Sequence, residues 1–215
     1  MKTPYLLLIA LLLSLPSAVF AQGRFIFGVT GGLTRMHLSG DAPDDASYTS
    51  FTGFSAGVIG EYALTDDIRL SVQPSYVRRG TGVAFDVGRE DLRDSLELSL
   101  GYLSIPAMAR FISPRGFWFV NGGLDCGFLL SASLSDLNAG GSVDVKNFVN
   151  GLDLMMIIGA GTLIEITPAM LSLELRYNQS LLNAGSSDQL AAKAGVPVRF
   201  RSAGFQLLAG ILFRL

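Results

Sequence analysis

Six charged residues fall where a polar side chain is expected in segments that otherwise alternate: Glu61, Arg69, Arg110, Glu165, Glu174 and Arg176. Three acids and three bases gathered at one level of a pore would make a gate or a selectivity ring. The competing reading is a packed ionic core, because the interior of an eight-strand barrel is just wide enough for side chains to fill it. The packed core is the expected outcome, since small-barrel interiors are normally filled. His37, the single histidine, lies close in sequence to Ser39, Asp41, Asp44 and Asp45. Nucleophilic catalysis needs a base within hydrogen-bond reach of the nucleophile. Proximity in sequence is all that suggests it here, so an ordinary polar loop residue is the expected reading.

Other motifs are weaker. Gly31-Gly32, Gly122-Gly123 and Gly159-Ala160-Gly161 do not open a helix after a strand, as phosphate-binding fingerprints require. Glycine inside a strand more simply relieves crowding or allows a bend. Asn178-Gln179-Ser180 matches a glycosylation sequon at a strand end, and the acidic run Asp41 to Asp45 could attract a cation or remain solvated. Cys126 is alone, so no intrachain disulfide can form. No catalytic, cofactor-binding or metal-binding residue is expected, and no cofactor.

The elements that position these residues have a period of two. Phe25, Phe27, Val29 and Leu33 share one parity; Phe54, Ala56, Val58 and Tyr62 follow in the second segment, and Ile68, Leu70, Val72 and Tyr76 in the third. The fourth, roughly Leu96 to Phe111, is irregular. Leu96, Leu98 and Leu100 sit on one parity and Leu103, Ile105, Ala107 and Phe111 on the other, which predicts a bulge near Gly101. Trp118 to Phe128, Leu152 to Glu165, Leu171 to Asn178 and Phe205 to Leu215 supply four more strands. Pro74 and Pro106 each remove a ladder donor, so local bulges are expected at both. Aromatics near strand ends (Phe25, Tyr62, Tyr76, Phe111, Phe117, Tyr177) fit interfacial girdles.

Hydrophobic residues make up 49% of the 215-residue chain, and mean hydropathy is +0.43. Yet no apolar run near the roughly 20 residues of a spanning helix follows the N-terminal segment. That segment, Met1 to Ala21, has Lys2, an apolar run from Leu6 to Leu15, Pro16, and small residues at Val19 and Ala21. It reads as a signal peptide for Sec-type export, leaving residues 22–215 as the mature domain. The formal charge of −2 becomes −3 when Lys2 leaves, which gives no support for a nucleic-acid partner. Tight connections near Asp66, Pro114 and Pro168 alternate with long polar ones around Asp41 to Ser50, Thr81 to Asp94, Ser133 to Asn147 and Gly185 to Val198. Short periplasmic and long outer connections are the rhythm of outer-membrane barrels. The prediction is an all-β, eight-stranded antiparallel up-and-down transmembrane β-barrel with both termini in the periplasm.

With the strands placed, several segments resemble the PorT-like (porin family) outer-membrane β-barrel proteins. These are Leu70-Ser71-Val72-Gln73-Pro74-Ser75-Tyr76, Tyr102-Leu103-Ser104-Ile105-Pro106-Ala107-Met108, Asn121-Gly122-Gly123, Ile158-Gly159-Ala160-Gly161, and Leu173 to Asn178 with Leu182-Asn183. The resemblance implies an integral protein of the Gram-negative outer membrane without catalytic residues, and some members are linked to type IX protein secretion. Its partners would be outer-membrane lipid, the barrel-insertion machinery and an envelope or secretion protein. The chain end departs from the usual insertion signal, because Arg214 and Leu215 follow the aromatic Phe213. Four functions stay open: a non-enzymatic structural, adhesive or assembly component acting through its outer loops; a narrow porin; a rim enzyme built on His37; and a soluble lipocalin-like carrier. The last needs an apolar interior, which the charged alternate face opposes.

Overall fold

A computed structural model describes residues 24–40, 46–86, 93–136, 141–146, 149–182 and 200–215. The segment expected as a signal peptide, the acidic run Asp41–Asp45 and the long connection 183–199 lie outside the described residues. Ten strands follow in chain order: β1 (Phe25–Gly40), β2 (Ala46–Ala63), β3 (Ile68–Val72), β4 (Ser75–Asp86), β5 (Arg93–Ile112), β6 (Trp118–Asp136), β7 (Ser142–Asp144), β8 (Leu152–Ile166), β9 (Ala169–Ser180) and β10 (Phe200–Arg214). β3 and β4 are two halves of one wall strand, since both pair with β2 on one side and β5 on the other. β7 is a short addition to β6. The wall therefore has eight antiparallel strands, and it closes where β1 pairs with β10 from Ile26↔Arg214 to Gly40↔Phe200.

Register fixes the geometry of that closure. Paired positions lead from Ile26 through Glu61, Ser71, Met108, Gly123, Ile157, Asn178 and Gly204 back to β1 at Met36, ten residues along the strand. With ordinary strand spacing, that stagger tilts the strands by about 40° and gives a wall radius of about 8 Å, a barrel that side chains can fill.

The outer wall is apolar. Phe27, Val29, Leu33, Phe54, Val58, Val120, Leu124, Leu175 and Leu207 are all exposed. Aromatic pairs band it: Phe25–Tyr62 at 5.0 Å and Phe27–Phe213 at 5.7 Å near the tight turns, Phe54–Tyr76 at 5.8 Å and Tyr177–Phe205 at 5.3 Å higher up. From Phe205 to Phe213 β10 climbs about 20 Å along the barrel axis at that tilt, close to the apolar band of a membrane barrel. This is the reverse of a soluble carrier, whose exterior must be polar.

The tight turns all lie at the end where the chain termini meet. Leu64–Asp67 joins β2 to β3, residues 113–117 join β5 to β6, and Thr167–Pro168 joins β8 to β9. Gly116 holds the middle of these at φ 70°, a conformation that favours glycine. At the opposite end, the connection between β4 and β5 is shorter than the composition suggests. β4 runs to Asp86 and β5 starts at Arg93, so most of the Thr81 to Asp94 segment is strand. Ladder bonds use the backbone alone, so polar, glycine-rich residues continue the wall where no lipid demands alternation.

Two details of β5 correct the sequence reading. The register shift does fall at Gly101/Tyr102, but the additional residue is Leu130 on β6, between Leu129 and Ser131. β5 itself keeps one phase against β4, so Leu98 and Leu100 face inward and pack with Tyr102, Leu129 and Ala132. The leucines change parity because the upper lumen is apolar. Of the two prolines, only Pro74 interrupts a strand, separating β3 from β4, whereas Pro106 lies within unbroken β5. Their carbonyls still accept bonds, Pro74 from Val58 N at 3.0 Å and Pro106 from Gln73 N at 3.1 Å. Neither proline can return the second bond that such an antiparallel pair normally exchanges.

Candidate functional site in the barrel lumen

Five of the six charged residues grouped by sequence enter the lumen. Arg110 on β5 is fully buried; its Nη1 lies 2.5 Å from Glu61 Oε1 on β2 and its Nη2 3.0 Å from Glu174 Oε2 on β9. Glu174 Oε1 accepts from Arg176 Nε at 2.6 Å and from Asn121 Nδ2 at 2.9 Å. Arg176 Nη2 donates to Gln73 Oε1 at 2.8 Å, and Gln73 donates to Ser71 Oγ at 3.0 Å. Arg69 Nη1 reaches Glu61 Oε2 at 3.4 Å. This chain crosses the lumen and ties together β2, β3, β5, β6 and β9.

Glu165 is the exception and corrects the grouping. It lies on the inward parity of β8 but beyond the packed interior, where its side chain is 71% exposed and meets Arg214 at 3.4 Å. An apolar layer explains the cut-off. Ile26, Ile59, Ile112, Phe119, Leu163, Met170 and Leu212 form one buried apolar cluster at the turn end. Arg110 lies 4.1 Å above the Phe119 ring, so the ionic chain rests on that layer and Glu165 falls on its far side.

A second network was missed by the sequence grouping. Arg79 on β4 bridges Asp125 on β6 at 2.7 Å and Asp153 on β8 at 3.0 Å. Ser104 Oγ donates to Asp125 and Ser180 Oγ to Asp153, each at 2.7 Å, and the Arg79 guanidinium lies 5.2 Å from the Tyr102 ring centre. Arg79, Asp125 and Asp153 lie on the inward parity of their strands; nothing in their spacing along the chain marks them as partners. Among the described residues the buried charges are thus four acids, Glu61, Asp125, Asp153 and Glu174, and four arginines, Arg69, Arg79, Arg110 and Arg176. Such balance is what a low-dielectric interior requires, since an unpaired buried charge is costly.

Between the two networks lies a cavity of about 10 Å³ bordered by Ser55, Gln73, Asp125, Arg176 and Gln206. That is room for about one water molecule. The glycines of Gly159-Ala160-Gly161 serve this packing. A Cβ on Gly159 would come within 2.5 Å of Asn121 Oδ1, and one on Gly161 within 2.4 Å of the Phe119 ring.

His37 is exposed on the outward parity of β1, opposite Ala203 of β10. Asp41, Asp44 and Asp45 lie outside the described residues. Asn178 of the sequon match is buried and hydrogen-bonded to Gln206. Cys126 is a free thiol. Among the described residues, no cluster of His, Cys, Asp or Glu is arranged to hold a metal ion.

The closed eight-strand wall with an apolar outside and a charged inside defines an integral β-barrel membrane protein. The sequence model of the family described as outer membrane protein beta-barrel domain matches residues 20–184. The chain belongs to that family, and it is an integral barrel of the outer membrane. No curated protein matches it. Solved structures similar to it include Ail, the attachment invasion locus protein of Yersinia pestis, in complex with the heparin analogue sucrose octasulfate. That likeness has 17% identity and TM-score 0.49, covering 88% of this chain and 99% of that one. Neisserial surface protein A matches with 18% identity and TM-score 0.48 over 88% of this chain and 97% of that one. OprG from Pseudomonas aeruginosa matches with 11% identity and TM-score 0.40 over 89% of this chain and 96% of that one. At these identities the neighbours' ligands and partners are theirs alone.

Proposed function

We propose that this protein is a non-enzymatic outer-membrane barrel acting as a structural, assembly or interaction component. The mature chain begins at Gln22 after cleavage of a signal peptide over residues 1–21. Both termini and the tight turns face the periplasm, and the long connections outside form the contact surface for an envelope or secretion partner. The resemblance to PorT-like proteins in Leu70–Tyr76, Tyr102–Met108 and Leu173–Asn178 supports the link to secretion. The observation that carries the non-porin reading is the filled lumen: an ionic network laid on a buried apolar layer. A conducting path would require both to open, breaking buried ion pairs and moving the apolar layer aside.

Planar-bilayer recording of the purified full-length mature protein tests this. The expected result is no stable, reproducible conductance. A steady unit conductance would overturn the reading in favour of a narrow porin, with Glu61, Arg69, Arg110, Glu174 and Arg176 as its constriction.

A further inference from the structure

Three arginines border a recess of about 420 Å³ at the turn-end mouth of the barrel: Arg24 just ahead of β1, Arg69 on β3 and Arg214 at the end of β10. Asp66, in the turn between β2 and β3, is the acid of its lining, so three arginines and one aspartate border it. None of the three is strongly compensated. Arg24 has no ion pair among the described residues, and Arg214 meets Glu165 at 3.4 Å with side chains 57% and 71% exposed, a weak pair in water. Arg69 is buried, with a side chain only 8% exposed, yet its ion-pair partner is Glu61 at 3.4 Å, and Glu61 is held more closely by Arg110 at 2.5 Å. Of the turn-end network's arginines, Arg69, Arg110 and Arg176, Arg69 is the one that also borders the recess. Arg69 and Arg214 share the lining of the recess, and like charges there repel.

We infer that this recess is a binding site for an oxyanion, specifically the phosphate of a phosphate ester. Guanidinium forks match the oxygens of phosphate, and charge-assisted bonds to it relieve the repulsion among the arginines. The recess is larger than a bare phosphate and leaves room for a glycerol-sized group beside it. The same chemistry has two sources. A phospholipid headgroup reaches the mouth from the bilayer at the level of the Phe25–Tyr62 and Phe27–Phe213 pairs, where aromatic girdles meet the headgroups. A soluble phosphate ester reaches it from the aqueous side. The inference does not depend on which compartment the turn end faces.

The test uses the full-length mature protein in an uncharged detergent. Glycerol 1-phosphate binding is measured by calorimetry, and retention of phosphatidylglycerol against phosphatidylcholine by native mass spectrometry. Arg24→Gln/Arg214→Gln alters only exposed arginines, whereas Arg69 is left in place because Glu61 needs it. We expect saturable binding of at least one anionic probe, weakened roughly ten-fold or more in the double variant. Asp66→Asn should tighten binding, an effect that a purely structural role would not produce. Binding of glycerol 1-phosphate assigns a soluble ester; retention of phosphatidylglycerol alone assigns a lipid headgroup. No preference for either anionic probe, or an affinity within about two-fold of the parent in the double variant, would overturn the site.

Discussion

Arg110 touches both buried carboxylates of the turn-end network and lies on Phe119, with none of its side chain exposed. Arg110→Leu would leave Glu61 and Glu174 short of a counter-charge inside the wall. Breaking a buried pair in this way costs about 3–5 kcal/mol, because the abandoned charge stays desolvated. Glu165→Gln should change stability by less than about 1 kcal/mol, since its pair with Arg214 is exposed. Urea unfolding in phospholipid vesicles, followed through Trp118 fluorescence, measures both. Equal, small effects would mean that water screens the lumen pairs and that the network does not brace the wall.

Within a strand, the two faces of β9 carry opposite demands. Leu173 and Leu175 are exposed on the outer wall, while Glu174 and Arg176 are buried and paired. Leu175→Arg should cost about 2–4 kcal/mol if the position lies near mid-bilayer, falling off toward the headgroups. The same unfolding measurement checks it; a negligible cost would place β9 outside the hydrocarbon. Gly161→Ala on β8 tests the packing from within. Its Cβ would meet Leu173 O at 2.3 Å and the Phe119 ring at 2.4 Å, so backbone and ring must both yield. Overpacking of this kind costs about 1–3 kcal/mol. β9 was legible in the sequence because each of its faces is uniform. β5 was not, because its inward face turns from Ser104 and Arg110 to Leu98 and Leu100 along its length. Parity alone cannot tell an apolar residue facing lipid from one facing an apolar stretch of lumen.

For the whole barrel, the proposed orientation puts the long connections outside and the tight turns in the periplasm. An epitope tag inserted between residues 183 and 199 should be reached by antibody on intact cells. A tag at Arg115, in the tight turn between β5 and β6, should be reached only after the envelope is permeabilised. The opposite pattern would invert the proposed orientation and move the arginine recess to the cell surface.

The sequence by itself determined the strand count, the outward face of most strands and the turns, because each rests on local chemistry: a period of two, and short segments rich in Asp, Gly and Pro. It also placed the lumen charges on the correct parity. Only the tertiary structure decided which of them meet. Partners across the lumen depend on the ten-residue stagger of the closed wall, a property of all eight strands together. That stagger joined Arg79 to Asp125 and Asp153, which no spacing along the chain suggested. It also put the Phe119 layer between Glu165 and the residues with which it had been grouped, so a shared parity became two separate environments.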